Sequence, residues 1–474
     1  MHKSKNLRVI GLAAVGYFIV CGGPYGTEPI VAAVGPGWAV LLLLMTPVFF
    51  SLPFALVVAE LSSLMPAEGG YYVWIRDTLG PFWGVQMGWI NLFTALLLLA
   101  IFPVLFSGYL AQLAQIAFPG ALMWLEGSLA HWLLAFSVIV TTITINLRGA
   151  QSVGRWAEAS FVLVIGGFST FVVLALMRHG ATATLIDAIG RDLHGAQPAH
   201  LVLGLSLILF NFGGWDSLST IAGEVDDAPR NYPRVLAVLL ILVVMSYLLP
   251  VLAGIATTPD PERWKEGAGW PILASLAGGR PLGALIAFGG VVANWALFNS
   301  QMLSASRLPL VMSRDGWLPP GLARSNERTG VPSVSILVCG VIAAGLAALS
   351  YGNLIVILAL FNMLGLALEL AALIILRLRR PDAQRPFRIP GGRAGLLFVT
   401  AAPLTVLTIT LATMLRAGHE YAWQLSVNVI AIAMGVALYL VGRARKQSAS
   451  QRAPASALMS PGGTHPPDGG AASE

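Results

Sequence analysis

Cys21-Gly22-Gly23-Pro24-Tyr25-Gly26-Thr27-Glu28-Pro29 places three glycines and two prolines in the middle of an apolar stretch running from 9 to 33. Proline removes a backbone donor, and each glycine costs about 1 kcal/mol in a helix. A membrane helix built from this stretch must therefore unwind at its centre. A second run of the same kind, Asn211-Phe212-Gly213-Gly214-Trp215-Asp216-Ser217, interrupts the apolar stretch 200–224 with two adjacent glycines and an acid. Unwound backbone persists at membrane depth only where it is buried in protein or lines a polar cavity. Two independent packing kinks would satisfy that condition too, but kinks have no reason to recur in register.

The register becomes visible when the rest of the chain is laid out around the breaks. Of the 474 residues 56% are hydrophobic and 11% charged, against about a quarter charged in soluble domains. No Asp, Glu, Lys or Arg occurs in 78–125, 235–259, 281–306 or 331–368. A bilayer core takes about 20 apolar residues per crossing, so a soluble fold is excluded. Twelve membrane helices are expected, at about 9–33, 38–64, 82–117, 128–147, 155–177, 200–224, 232–256, 282–312, 332–350, 353–377, 395–416 and 422–442. The breaks then fall in helices one and six, the corresponding members of two five-helix halves. Paired interruptions of this sort point to an inverted repeat with a site at the midplane. The expected organisation is a cytoplasmic tail 1–8, a transporter-like domain 9–442 and a disordered cytoplasmic tail 443–474. Within the domain lie repeat one (9–177), repeat two (200–377) and helices eleven and twelve (395–442).

The net charge of +6 reads as basic cytoplasmic loops, not as a nucleic-acid surface. With the N-terminus inside, all but six of the 28 Lys and Arg fall on the inner side, the six being Arg178, Arg191, Arg263, Lys265, Arg280 and Arg416. That bias places both termini in the cytoplasm of a cell (inner or plasma) membrane. Cys21 and Cys339 lie in apolar segments and read as small buried side chains. No cleavable signal peptide is expected, because the apolar run from Val9 leads straight into further spans.

Three motifs carry a family resemblance. The first is Ala59-Glu60-Leu61 with Met65-Pro66-Ala67-Glu68-Gly69-Gly70-Tyr71-Tyr72-Val73-Trp74, Gly80-Pro81-Phe82-Trp83-Gly84 and Gly88-Trp89. The second is Ala222-Gly223-Glu224 with Pro229-Arg230-Asn231-Tyr232-Pro233, and the third Ser313-Arg314-Asp315-Gly316-Trp317-Leu318-Pro319. In this order on a many-span chain they resemble the amino acid–polyamine–organocation (APC) superfamily. The stretches 22–28 and 211–224 look most like the plant-type polyamine uptake carriers, which are polyamine:proton symporters. The resemblance implies an all-α leucine-transporter-like 5+5 inverted repeat, with helices 1 and 6 unwound and helices eleven and twelve outside it. It also implies alternating access and proton-coupled uptake of amino acids or polyamines. Three positions depart from the pattern. Pro29 stands where those carriers have a second acid, Gln301 where they have an acid in helix eight, and 160–165 holds no coupling lysine.

An ionisable side chain at membrane depth is expensive and marks function by default. Glu28 and Asp216, each inside a break, are the candidates for meeting a substrate ammonium or carrying the coupling proton; the alternative for both is capping the half-helix that resumes after the break. Around them, Gly22, Gly23, Tyr25 and Gly26 from the first break and Phe210, Asn211, Phe212, Gly213, Gly214 and Trp215 from the second are candidate substrate contacts. Phe210 falls where relatives often place an aromatic lid, and aromatic faces attract ammonium groups. Asn299 and Gln301, with Asn294, give helix eight a polar stripe. Glu369 can be a gate or proton relay, or the partner of one of Arg377, Arg379 or Arg380, the pairing being the favoured reading; Glu60, Glu224 and Arg307 read as ion-paired or inner-gate groups at cytoplasmic helix ends. No catalytic set, metal site, nucleotide loop or cofactor motif is present, so an enzyme is not expected. The partners implied are a small amine-bearing solute, a proton and the bilayer. An exchanger and a transporter-like nutrient sensor are the alternatives.

Overall fold

The computed structural model describes residues 9–118, 128–179, 187, 190, 198–224, 227–264, 269–326, 330–347, 354–416 and 422–452. Among them every regular element is helical. The first apolar stretch forms α1 (Val9–Val20) and resumes as α2 (Glu28–Thr46). Residues 21–27 between them are irregular, with Gly23 and Gly26 at φ of 90° and 89°. Inside α2, Gly35 at φ 79° and ψ 166° precedes Pro36 and kinks the chain. That kink separates the short second half of the broken span from the next crossing, which passes through a wide turn at Pro47–Ser51 into α3 (Leu52–Leu64). The boundary expected between 33 and 38 is thus a glycine–proline kink inside continuous helix.

A short α4 (Tyr71–Leu79) leads into α5 (Pro81–Ala117), α6 (Ser128–Leu147) and α7 (Ala150–His179). At 37 residues α5 is about 55 Å long at 1.5 Å per residue. The second interrupted span is α8 (Pro198–Asn211), an irregular stretch and then a tight three-residue-per-turn segment, Ser217–Glu224. Next come α9 (Ala228–Thr257), α10 (Gly269–Gly278), α11 (Arg280–Ala305), α12 (Arg307–Arg314) and α13 (Ser333–Leu346). The last three are α14 (Leu354–Arg379), α15 (Gly392–Arg416) and α16 (Ala422–Arg452). The final helix continues to Arg452, past the end expected at 442; positions beyond it lie outside the described residues.

Nine helices among the described residues are long and apolar enough to cross a membrane. The expected spans that fall short are the two broken ones and Ser333–Leu346, so length and composition do not by themselves establish twelve crossings. Leu129, Val162, Met177, Val341 and Val429 are largely exposed on the outer surface, as apolar side chains facing hydrocarbon are. The interior is arranged around the breaks. α1 packs on α7, α9 and α11, α2 on α8, and α5 along α11. Cys21 and Cys339 are buried and unbridged.

Candidate functional site

The two breaks touch. Asn211 closes α8 and donates from Nδ2 to the Gly26 carbonyl at 3.0 Å and to the Leu207 carbonyl at 2.9 Å. Its own carbonyl accepts the Tyr247 hydroxyl at 2.8 Å. Gly214 has φ of 82°, and a Cβ there would stand 3.1 Å from the Ile19 carbonyl oxygen. Both the left-handed backbone and the close approach require glycine at this position.

Between the breaks lies a cavity of about 120 Å³. Gly22, Tyr25, Gly26 and Glu28 line it from the first break, and Phe210, Asn211, Gly213 and Gly214 from the second. Gln301 and Asn294 reach it from α11. Five other candidates stand back from it. Gly23 faces Val164, with its Cβ direction 2.7 Å from Cγ1. Phe212 packs edge-on against Tyr247. Trp215 donates to the Phe212 carbonyl at 2.8 Å. Asn299 turns towards α6, accepting from Asn146 at 3.4 Å. Asp216 is 7% exposed and lies outside the cavity lining.

Glu28 is the one charged residue among the described residues of the lining. It is the first residue of α2 and 1% exposed. Its Oε2 accepts the Gly26 N–H at 2.7 Å and its Oε1 the Tyr109 hydroxyl at 3.0 Å. The carboxyl therefore sits on the positive N-terminal end of the resumed half-helix and borders the cavity as well. The opposite polarity meets the cavity elsewhere: Ile19 and Val20 end α1, Phe210 and Asn211 end α8, and helix C-termini carry partial negative charge.

Glycines and rings hold Glu28 in place. Tyr25 donates to the Ile286 carbonyl at 2.7 Å and meets Tyr109 and Phe168 edge-on at centroid distances of 5.1 and 5.0 Å. Gly289 and Gly290 of α11 leave room for the two tyrosines, since a Cβ at either would lie 2.5 or 2.6 Å from the Tyr25 hydroxyl or the Tyr109 ring. Trp270 donates to the Pro24 carbonyl at 2.8 Å, and Gly269 stands directly over the Glu28 side chain. The segment around α10 is therefore a cover over the acid.

The α5 contribution was not among the sequence-derived candidates. Asn91, Thr94, Leu98, Phe102, Leu105 and Tyr109 all line the cavity. Their spacing of three or four residues is one helical face, so the polar members Asn91, Thr94 and Tyr109 in a charge-free helix were the available signal. Of the other acids, Glu60 forms ion pairs with Arg377 at 2.5 Å and Arg385 at 3.3 Å. Glu369, expected to pair with one of the neighbouring arginines, has no hydrogen-bond partner on either oxygen among the described residues. The Glu224 side chain lies outside them, and Arg307 is buried beside Ser306.

The amino acid permease family profile matches residues 12–438. The polyamine transporter PUT1 of Oryza sativa subsp. japonica is 34% identical, over 86% of this chain and 74% of its own. The polyamine transporter RMV1 of Arabidopsis thaliana is 32% identical, over 87% and 81%. The crystal structure of MhsT in complex with L-phenylalanine aligns with a TM-score of 0.64 at 15% identity, covering 87% of this chain and all of that one; it shares the leucine-transporter-like fold. With a family match over residues 12–438, two plant transporters at this identity and a multi-pass helical body with paired breaks, the chain is a secondary transporter and belongs to the amino acid permease family.

Proposed function

We propose that this transporter takes up small amines that carry no carboxylate, di- and polyamines above all, by alternating access coupled to protons, across a cell membrane with both termini cytoplasmic. The observation that carries the reading is the seat of Glu28. In a carrier for zwitterionic amino acids, the free N-terminus of the resumed half-helix receives the substrate carboxylate. Here the chain's own carboxylate occupies that end through Gly26. What remains open to a ligand is negative in character: the Glu28 oxygens, two helix C-termini and the rings of Tyr25, Tyr109 and Phe210. An ammonium group suits every one of these. The names of the rice and Arabidopsis relatives agree with it.

The test is uptake into proteoliposomes of labelled putrescine, with unlabelled putrescine, spermidine, leucine and alanine as competitors. Saturable uptake competed by the amines and indifferent to the amino acids is expected. Uptake of leucine or alanine competed equally by putrescine would refute the assignment.

A further inference from the structure

We infer that Asp216 and Glu369 form a proton site of their own, behind the cavity wall and separate from the carboxyl that meets the amine. The inference rests on the transport reading above and assigns its coupling ion to particular residues.

Glu369 lies in α14 and is fully buried, with no hydrogen-bond donor to either oxygen among the described residues. Three of the arginines that follow it in sequence are engaged elsewhere. Arg377 donates to Glu60 at 2.9 and 2.5 Å, Arg379 to the Thr78 carbonyl at 3.1 Å, and Arg385 approaches Glu60. Glu369 interacts electrostatically with Asp216, Tyr71 from the start of α4 with both acids, and Tyr232 from α9 with Asp216. No Lys, Arg or His is among them. The Tyr232 hydroxyl is itself fully buried and without a partner among the described residues. Two of these four groups, the Glu369 carboxyl and the Tyr232 hydroxyl, thus keep unused hydrogen-bonding capacity inside the protein among the described residues.

Two carboxylates cannot share such a space as ions. Removing each from water costs several kcal/mol after relaxation, and like charges at short range favour protonation of one of the pair. A proton on one of the two acids removes that repulsion and leaves Glu369 needing no cation. Glu369 differs in kind from Glu28, which two donors already serve, and from Asp216, which the backbone amides of Asp216 and Ser217 serve. Tyr71 lines the substrate cavity and interacts with both acids, so it forms the partition between the two sites.

The place of Asp216 supplies a release step. It sits at the end of the second break, directly before the segment Ser217–Glu224. That segment is held to α11 through Thr220 and Ser304 at 2.9 Å and to the loop before α4 through Gly69 N–H to the Thr220 carbonyl at 3.0 Å. When the segment swings during alternation it carries Asp216 away from Glu369, which stays with α14. Water then reaches the pair, and the proton leaves a carboxyl oxygen for that water; no bond of the substrate changes.

The experiment uses the full-length protein and the variants Glu369→Gln and Asp216→Asn, with a pH-sensitive dye sealed inside proteoliposomes. In the unmodified protein, external putrescine is expected to drive proton influx. In Glu369→Gln that influx is expected to fall at least tenfold, while putrescine–putrescine counterflow stays within threefold. The infrared carbonyl-stretch band of a protonated carboxylic acid, recorded on purified protein at neutral pH, is expected to be lost in Glu369→Gln; this readout needs no transport. Undiminished influx in Glu369→Gln, an unchanged infrared band, or uptake that demands sodium and ignores the pH gradient would each overturn the site while leaving the amine reading intact. Absence of counterflow for every amine in the unmodified protein would overturn both.

Discussion

Replacing Glu28 with glutamine separates what the acid does for the fold from what it does for the substrate. Glutamine is nearly isosteric. Its carbonyl oxygen can accept the Gly26 N–H, and its amide can donate to the Tyr109 oxygen, because that hydroxyl can turn to accept. Both contacts, now at 2.7 and 3.0 Å, survive as neutral hydrogen bonds. A charged bond is worth about 1.5–3 kcal/mol and a neutral one about 1, so the variant should lose about 1 kcal/mol of stability. A change that small moves the melting temperature of a chain this size by about 2 °C or less. The ammonium of a bound amine loses much more. Truncating one partner of a buried charge pair costs about 2–5 kcal/mol; at about 3 kcal/mol the Kd of putrescine rises roughly a hundredfold. Thermal unfolding and equilibrium binding on the same preparation read the two quantities side by side. A Kd within threefold of the unmodified protein, at an unchanged melting temperature, would refute the role given to Glu28.

Four further outcomes are expected. Glu60→Ala leaves Arg377 and Arg385, 13% and 6% exposed, without their shared carboxylate and strips the Ile389 N–H of its 2.8 Å acceptor; a loss of about 3–5 kcal/mol should appear in detergent-solution melting curves. Gly214→Ala forces a side chain into left-handed backbone at about 1–2 kcal/mol and pushes on the Ile19 carbonyl, so both stability and putrescine affinity should fall, with unchanged binding as the contrary result. Single cysteines at Arg445 and Arg263 should react with an impermeant reagent from opposite faces of sealed vesicles, since native Cys21 and Cys339 are buried; labelling from one face would remove the proposed topology. Asp315→Asn loosens α4 from α12, where Asp315 takes both Arg76 and the Tyr72 hydroxyl, and a cysteine at Ser304 should then react faster from the cytoplasmic face, whereas an unchanged rate would show that this contact does not seal the cavity.

The breaks were legible because their cause is local. Three glycines and two prolines in one stretch forbid regular helix whatever surrounds them, and polar backbone in lipid then demands a cavity. The lining from α5 was less visible, since Asn91, Thr94 and Tyr109 are ordinary residues whose meaning depends on which face of the helix turns inward. Long-range pairing was the least visible. Glu60 and Arg377 are far apart in the chain yet meet at 2.5 Å, whereas Glu369, closer in sequence to the same arginine, does not reach it. Sequence distance along a helix is a fair guide to neighbours only when no third helix competes, and α3 competes here.

That competition gives the acids of this molecule their distinct characters. Glu60 has cations, Glu28 has a backbone amide and a phenol, and Glu369 has neither among the described residues. A buried carboxyl is defined by what its neighbours donate, and these three environments suit a permanent anion, a negative charge awaiting an ammonium, and a carboxyl that must hold a proton while it stays buried. Had Arg377 turned towards Glu369, the α14 acid would be neutralised for good and could not alternate. By taking Arg377 for itself, the α3 acid leaves Glu369 without that cation, and with no hydrogen-bond partner among the described residues. In the proposed scheme, an amine at Glu28 and a proton at Asp216 and Glu369 are two charges held by different groups on either side of Tyr71. Their joint movement needs only that the same segment, Ser217–Glu224, close over one and open the other.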